Sequence, residues 1–304
     1  MRAFGAIVLL ALPGCLFGSG AESRITSATE GIRLADSAFE GDRYDEADEL
    51  YEAMQDRYPD VFPEEVLFKR ARANFLSGDY GEAFALYDRL ADEFFSNRYA
   101  DQMIADEFVI GQKYLDGEIR WLGIFPRRSQ GVKVFHHIMT HWPRSSAAEE
   151  ARRLLAEYYF EDGAYADAIA EYLELRKKYP SSRWKPVYDY RYAVSLRMEC
   201  KGVDYDRGRL EAARLAFLEY LDAWRPTGHT FVKSAETQLA ELEEMLGEKE
   251  YRIGGFYEWF DEPLGAAVHY EKAIQRYPRT EGAKASAEAL SEVEEEMAEE
   301  GGDR

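Results

Sequence analysis

The chain has only two cysteines in 304 residues, Cys15 and Cys200, which excludes a disulfide-stapled scaffold and any Cys-rich zinc module. Positive charge is scarce. Against 58 Asp and Glu stand 38 Lys and Arg, a net charge of −20, and an acidic chain is a poor partner for nucleic acid because phosphate binding needs a basic face. The apolar run Ala3 to Leu12 is far short of the about 20 residues that a bilayer span requires, and no other segment approaches that length. Phosphate loops of the GxxxxGK[ST] or GxGxxG type, a G-x-S-x-G elbow and an HExxH motif are all missing. Carboxylates are so numerous that no pair stands out for acid–base work. The sequence therefore points to no enzyme and calls for no cofactor. What it does have is packing material: 46% apolar residues, with 21 Tyr and 17 Phe, too much for a disordered chain.

The N-terminus reads MRAFGAIVLLALPGC. Arg2 gives a short positive region, the apolar run follows, and Leu12-Pro13-Gly14-Cys15 resembles a bacterial lipobox, with Leu three residues before a Cys and a small residue immediately before it. This predicts a signal peptide over 1–14, lipidation at Cys15 and a flexible tether over 15–27. Ordinary cleaved secretion and an incidental apolar N-terminus are the alternatives. Leu16 follows the Cys where an Asp would favour the inner membrane, so the expected location is the outer membrane, lipid-anchored and facing the periplasm. Once Cys15 carries lipid, Cys200 is expected to be a small buried hydrophobe.

A repeat organises the rest. An aromatic followed by Pro recurs at Tyr58-Pro59, Trp142-Pro143, Tyr179-Pro180 and Tyr277-Pro278, with Trp224-Arg225-Pro226 as a looser version. Upstream lie GDRYDEA (41–47), GDYGEA (78–83), DGAYADA (162–168) and DEPLGAA (261–267), each followed by a tyrosine, at Tyr51, Tyr87, Tyr172 and Tyr270. Gly, or Asp with Gly, breaks a first helix, Ala allows a close helix crossing, the aromatic fills the gap between hairpins, and Pro ends the second helix. The pattern is similar to the tetratricopeptide repeat of about 34 residues. It predicts an all-α solenoid over 28–287, a right-handed superhelix of six hairpins at about 28–61, 64–97, 102–145, 148–181, 187–227 and 248–281, as one array without a domain boundary. The acidic string over 288–304 is expected to be a fraying helix or solvated tail.

Lipobox, tether and hairpins together resemble the BamD/YfiO family of outer-membrane lipoproteins. The stretch AETQLAELEEMLGEKEYRIGGFYEWFDEPLGAAVHYEKAIQRYPRTEGAKASAEAL (235–290) is similar to the family's closing helices, and FEGDRYDEADELYEAMQDRYP (39–59) to its first repeat. The resemblance implies a non-enzymatic scaffold of β-barrel assembly. Its N-terminal half would meet nascent outer-membrane proteins, and its C-terminal half would dock the barrel-forming subunit. Better-known members have five repeats where this chain is expected to have six. The residue-level alternative is a tetratricopeptide lipoprotein of envelope organisation, a coordinator of cell-wall enzymes or a secretin pilot.

First helices of such hairpins line the concave face, which places Phe39, Phe68, Arg72, Phe75, Phe108, Phe160 and Tyr190 in a candidate peptide groove. Aromatics with isolated Arg groups suit an extended aromatic peptide. The competing reading is that many of these rings pack between hairpins. The insertion DGEIRWLGIFPRRSQG (116–131) carries Trp121, Phe125, Arg127 and Arg128. It is expected either to dock a partner or to fold back over the core. His137 and His141 share a helix face beside His136, but no further ligand lies at useful spacing in the sequence, so a structural role is expected over a metal site.

Overall fold

The computed structural model describes residues 20, 24–94, 98–121, 124–200, 202–203 and 206–302. Cys15, the signal peptide and most of the tether lie outside them. The described residues form α1 (Ala28–Glu40), α2 (Tyr44–Arg57), α3 (Pro63–Ser77), α4 (Tyr80–Glu93), α5 (Ala100–Leu115), β1 (Arg120–Trp121), β2 (Phe125–Pro126), α6 (Arg128–His141), α7 (Ser146–Glu161), α8 (Tyr165–Lys178), α9 (Lys185–Glu199), α10 (Arg207–Trp224), α11 (Val232–Trp259), α12 (Pro263–Arg276) and α13 (Glu281–Gly302). The architecture is all-α and of tetratricopeptide type. The two-residue strands pair antiparallel as a minimal hairpin inside the 116–131 insertion.

The recurring strings explain where each helix starts and stops. Asp79 and Asp206 cap α4 and α10, their carboxylates accepting from the backbone N–H of Glu82 and Arg209. The aromatic of each aromatic–Pro pair is the C-cap: Tyr58, Trp142, Tyr179 and Tyr277 have φ of −137°, −123°, −123° and −130°. A following proline excludes the helical conformation, so the helix must end there, while each N–H still closes the last turn onto the carbonyl four residues back. Between the helices of a hairpin a left-handed residue reverses the chain. It is glycine at Gly78 and Gly163, but Asp42 and Asp261 take the same role at φ 57° and 62°.

Ala47, Ala83, Ala168 and Ala266 are fully buried where paired helices approach most closely, and Tyr51, Tyr87, Tyr172 and Tyr270 are buried one turn later. A phenol taken out of water needs a partner. Tyr51 donates to Asp36, Tyr87 to Asp106 at 2.6 Å and Tyr270 to Glu258 at 2.6 Å. Asp106, itself buried, also accepts from Arg72 and from Gln102. Cys200 is buried with its thiol donating to the Leu196 carbonyl, and burial pushes that thiol up.

The helices group into two compact units that divide between Ala148 and Glu149. In the second unit, the stretch ahead of repeat six is the first half of the 28-residue α11, because no proline or turn signal interrupts it. The expected acidic tail is the outer part of α13, which runs to Gly302 and packs on α11 and α12. Ala283, Ser286 and Val293 are buried, and Leu290 and Met297 pack against the α12 cluster. This 3–4 spacing puts one small or apolar stripe on a helix that is otherwise charged.

Candidate functional surfaces

Each candidate groove residue already has an intramolecular partner. Phe39, Phe75 and Phe160, near the ends of first helices, meet Tyr44, Tyr80 and Tyr165, the first residues of the next helices, edge-on at 5.6, 5.8 and 5.6 Å. The same five-residue step across each turn makes this an aromatic clamp internal to the hairpin, worth about 0.5–1.5 kcal/mol per pair beyond burial. Phe68 stacks on Tyr99 at 4.0 Å, Phe108 tilts against Phe135, and Tyr190 stacks on Phe231 at 4.5 Å. The Arg72 guanidinium pairs with Asp106 and lies over the Phe75 ring. All seven side chains are partly buried, so what they offer a ligand is an edge of each group.

In the 116–131 insertion, residues 124–129 are exposed. Its base is pinned by Arg128, whose Nε donates to the Leu115 carbonyl, and by the Arg127 N–H to the Ile119 carbonyl. Ile124 and Phe125 are exposed at the tip, with Arg127 and Arg128 exposed beside them. The backbone of Trp121 pairs with Phe125; its side chain lies outside the described residues.

A larger apolar surface lies where α11 turns into α12. Phe256, Tyr257, Trp259, Phe260, Leu264 and Val268 are all exposed, Trp259 at 78% and Leu264 at 72%. Trp259 and Phe260 sit edge-to-face at 4.6 Å, and Phe256 leans on Phe260 at 4.7 Å, so the rings form one contiguous cluster. Soluble monomers rarely leave such a patch uncovered. The repeat grammar concealed it in the sequence, because FYEWF falls where first-helix motif positions are expected and nothing marks which rings face outward.

The fold also assembles titratable groups from distant segments. His137 and His141 lie one turn apart on α6, ring centroids 4.3 Å apart. Across from them on α4 are Asp88 and Asp92, with Asp88 Oδ1 3.3 Å from His137 Nε2 and Asp92 Oδ1 4.0 Å from His141 Nε2. Glu107 of α5, fully buried, faces His137 Nδ1 at 3.1 Å. Burial works against the His137 imidazolium, but the hydrogen bond and charge of Glu107, together with the charges of Asp88 and Asp92, outweigh it and hold His137 above its ordinary value. Burial and the neighbouring His137 push His141 down. The sequence reading found no further ligand near this histidine pair; folding supplies carboxylates from about 50 residues upstream.

No helix among the described residues is long and apolar enough to cross a membrane. The chain is similar to the C-terminal part of a tetratricopeptide-repeat protein from Cytophaga hutchinsonii, at 13% identity over 87% of this chain and 89% of that one, TM-score 0.33. It is also similar to a tetratricopeptide repeat protein from Parabacteroides merdae, at 14% identity over 88% and 98%, TM-score 0.35. No curated protein matches the chain. A tetratricopeptide-repeat family profile matches residues 32–97, and the profile of the YfiO family, described as outer membrane lipoprotein, matches residues 128–302. That match covers more than half of the sequence and the whole closing set of helices, and the chain belongs to the YfiO family of outer membrane lipoproteins.

Proposed function

We propose that this protein is a non-enzymatic scaffold of outer-membrane protein assembly, anchored through lipidated Cys15 and facing the periplasm, as BamD-type lipoproteins are. The observation that carries this reading is the exposed aromatic cluster from Phe256 to Val268, which lies inside the stretch matched by the family. A surface of one Trp, two Phe, a Tyr, a Leu and a Val has the composition of an interface core rather than of solvent-facing protein. The reading assigns it to the barrel-forming subunit. Contact with nascent outer-membrane proteins falls to the first helices of the N-terminal unit, where Phe68, Arg72 and Phe75 share one face of α3. The insertion with Phe125, Arg127 and Arg128 is a second place for a partner to dock. Its mechanism is binding without covalent chemistry, with aromatic edges and a few cations holding a segment until it is passed on.

The test is a double substitution, Trp259→Ser with Leu264→Ser. Both side chains are mostly in solvent, so the melting temperature should hold, since exposed positions change stability by about 0.5 kcal/mol or less. Removing two central anchors should weaken binding to the periplasmic part of the barrel-forming subunit by roughly 30-fold or more. Unchanged affinity would remove the patch from the interface.

A further inference from the structure

The histidine–aspartate cluster of the N-terminal unit makes no use of its own best donor. His137 is only 8% exposed, and its Nε2 is buried without a hydrogen-bond partner among the described residues. A buried ring nitrogen left unpaired costs free energy, and natural structures rarely leave one so. This nitrogen points at Asp88 Oδ1, 3.3 Å away, without the geometry of a hydrogen bond. One donor atom each from Asp88, His137 and His141 lie within 4.8 Å of one another.

We propose that Asp88, His137 and His141 bind a divalent transition-metal ion, zinc by preference, with solvent at the fourth position and Glu107 orienting His137. The donor chemistry favours zinc: two imidazoles and one carboxylate are a three-ligand set for a borderline-soft ion that accepts tetrahedral ligands. Zinc at about 2.1 Å from each donor needs donors about 3.4 Å apart, so the cluster is close to ligating size and must contract slightly. The contraction falls to Asp88, which is exposed and can rotate, and to the partly exposed His141 ring.

The second shell is already in place. Metal-bound histidines almost always give their other ring N–H to a carboxylate, which fixes the tautomer and turns the free nitrogen to the ion. Glu107 does this for His137 Nδ1 from a fully buried position, and Phe84 packs edge-on against the same ring at 5.5 Å. The two histidines lie i, i+4 on one face of α6, and Asp88 faces them from α4. The bound ion would tie the second helix of repeat two to the second helix of repeat three. A metal link would stiffen that joint, where Phe84 already packs against the His137 ring.

The experiment is calorimetric titration of the full chain, stripped of metal with chelator, with zinc sulfate. The expected result is saturable binding of one ion per chain and a higher melting temperature with zinc. His141→Ala, at a partly exposed position that leaves folding intact, should lower the affinity at least about 100-fold and abolish the thermal shift. Glu107→Gln should lower affinity by about 10–100-fold, the usual effect of losing an outer-shell carboxylate. His136→Ala, on the exposed side of the same helix, should change neither. Absence of saturable zinc binding in the parent, equal affinity of His141→Ala and the parent, or equal loss in His136→Ala would overturn the assignment.

Discussion

Glycine 282 offers a direct test of how α13 is held. It lies at the second position of α13, where the helix crosses α11, and a Cβ added there would sit 2.5 Å from the backbone N of Glu248 and overlap Gly247. The obstacle is backbone, so no side-chain rotation relieves it and the two helices must separate. Overpacking of a tight contact costs about 1–3 kcal/mol, and this site belongs at the upper end of that range. The gain in helix propensity from Gly to Ala, at most about 1 kcal/mol, is small in a first turn and does not offset it. Gly282→Ala should therefore lower the melting temperature by roughly 3–10 °C, at about 2–4 °C per kcal/mol for a unit of this size. Gly255→Ala is the internal control. It lies within α11, where the added Cβ meets nothing closer than the Tyr270 hydroxyl at 3.7 Å, and should stabilise by about 0.5–1 kcal/mol. Thermal unfolding followed by circular dichroism gives both values. A Gly282→Ala chain as stable as the parent would refute the close crossing and with it the docking of α13.

Two other outcomes follow from the structure. Asp261 holds φ 62° with no side-chain hydrogen bond among the described contacts, so Asp261→Gly should stabilise by about 1 kcal/mol in denaturant titration, and destabilisation would show a role for its carboxylate. Burial, reinforced at most positions by neighbouring carboxylates, raises the phenols of Tyr51, Tyr87, Tyr172, Tyr188, Tyr270 and Tyr277 above their ordinary value, and pushes Tyr220 up to about 12. A folded pKa above the unfolded value means this stability is fully present below about pH 10 and is lost as pH rises through the folded values. The part of the tyrosinate absorbance that these seven contribute should therefore rise together with loss of helix in an alkaline titration; ionisation of all 21 tyrosines near pH 10 with the helices intact would contradict it.

The hairpins were legible because their grammar is local. A left-handed turn, an Ala at the crossing, a buried Tyr and a Tyr or Trp before Pro recur at fixed spacing, and each has a steric reason that sequence alone carries. What lies between segments was not legible. The stripe Ala283, Ser286, Leu290, Val293 and Met297 was outweighed by the surrounding glutamates, although its 3–4 period is present in the sequence. For Phe39, Phe75 and Phe160, motif position gives the helix face but not the neighbour; the tyrosine five residues on takes part of each ring. The carboxylates facing His137 and His141 come from a helix about 50 residues away, a distance at which sequence spacing has no meaning. The outward face of FYEWF depends on what packs around α11, which only the fold decides.

The central claim, a lipoprotein scaffold serving β-barrel assembly, is tested most directly by co-purification of the lipid-anchored chain from detergent-solubilised envelopes. The account predicts stoichiometric recovery of the barrel-forming subunit with the parent chain and its loss with Trp259→Ser/Leu264→Ser. Recovery of a cell-wall enzyme or a secretin in its place, with no barrel-forming subunit, would contradict it.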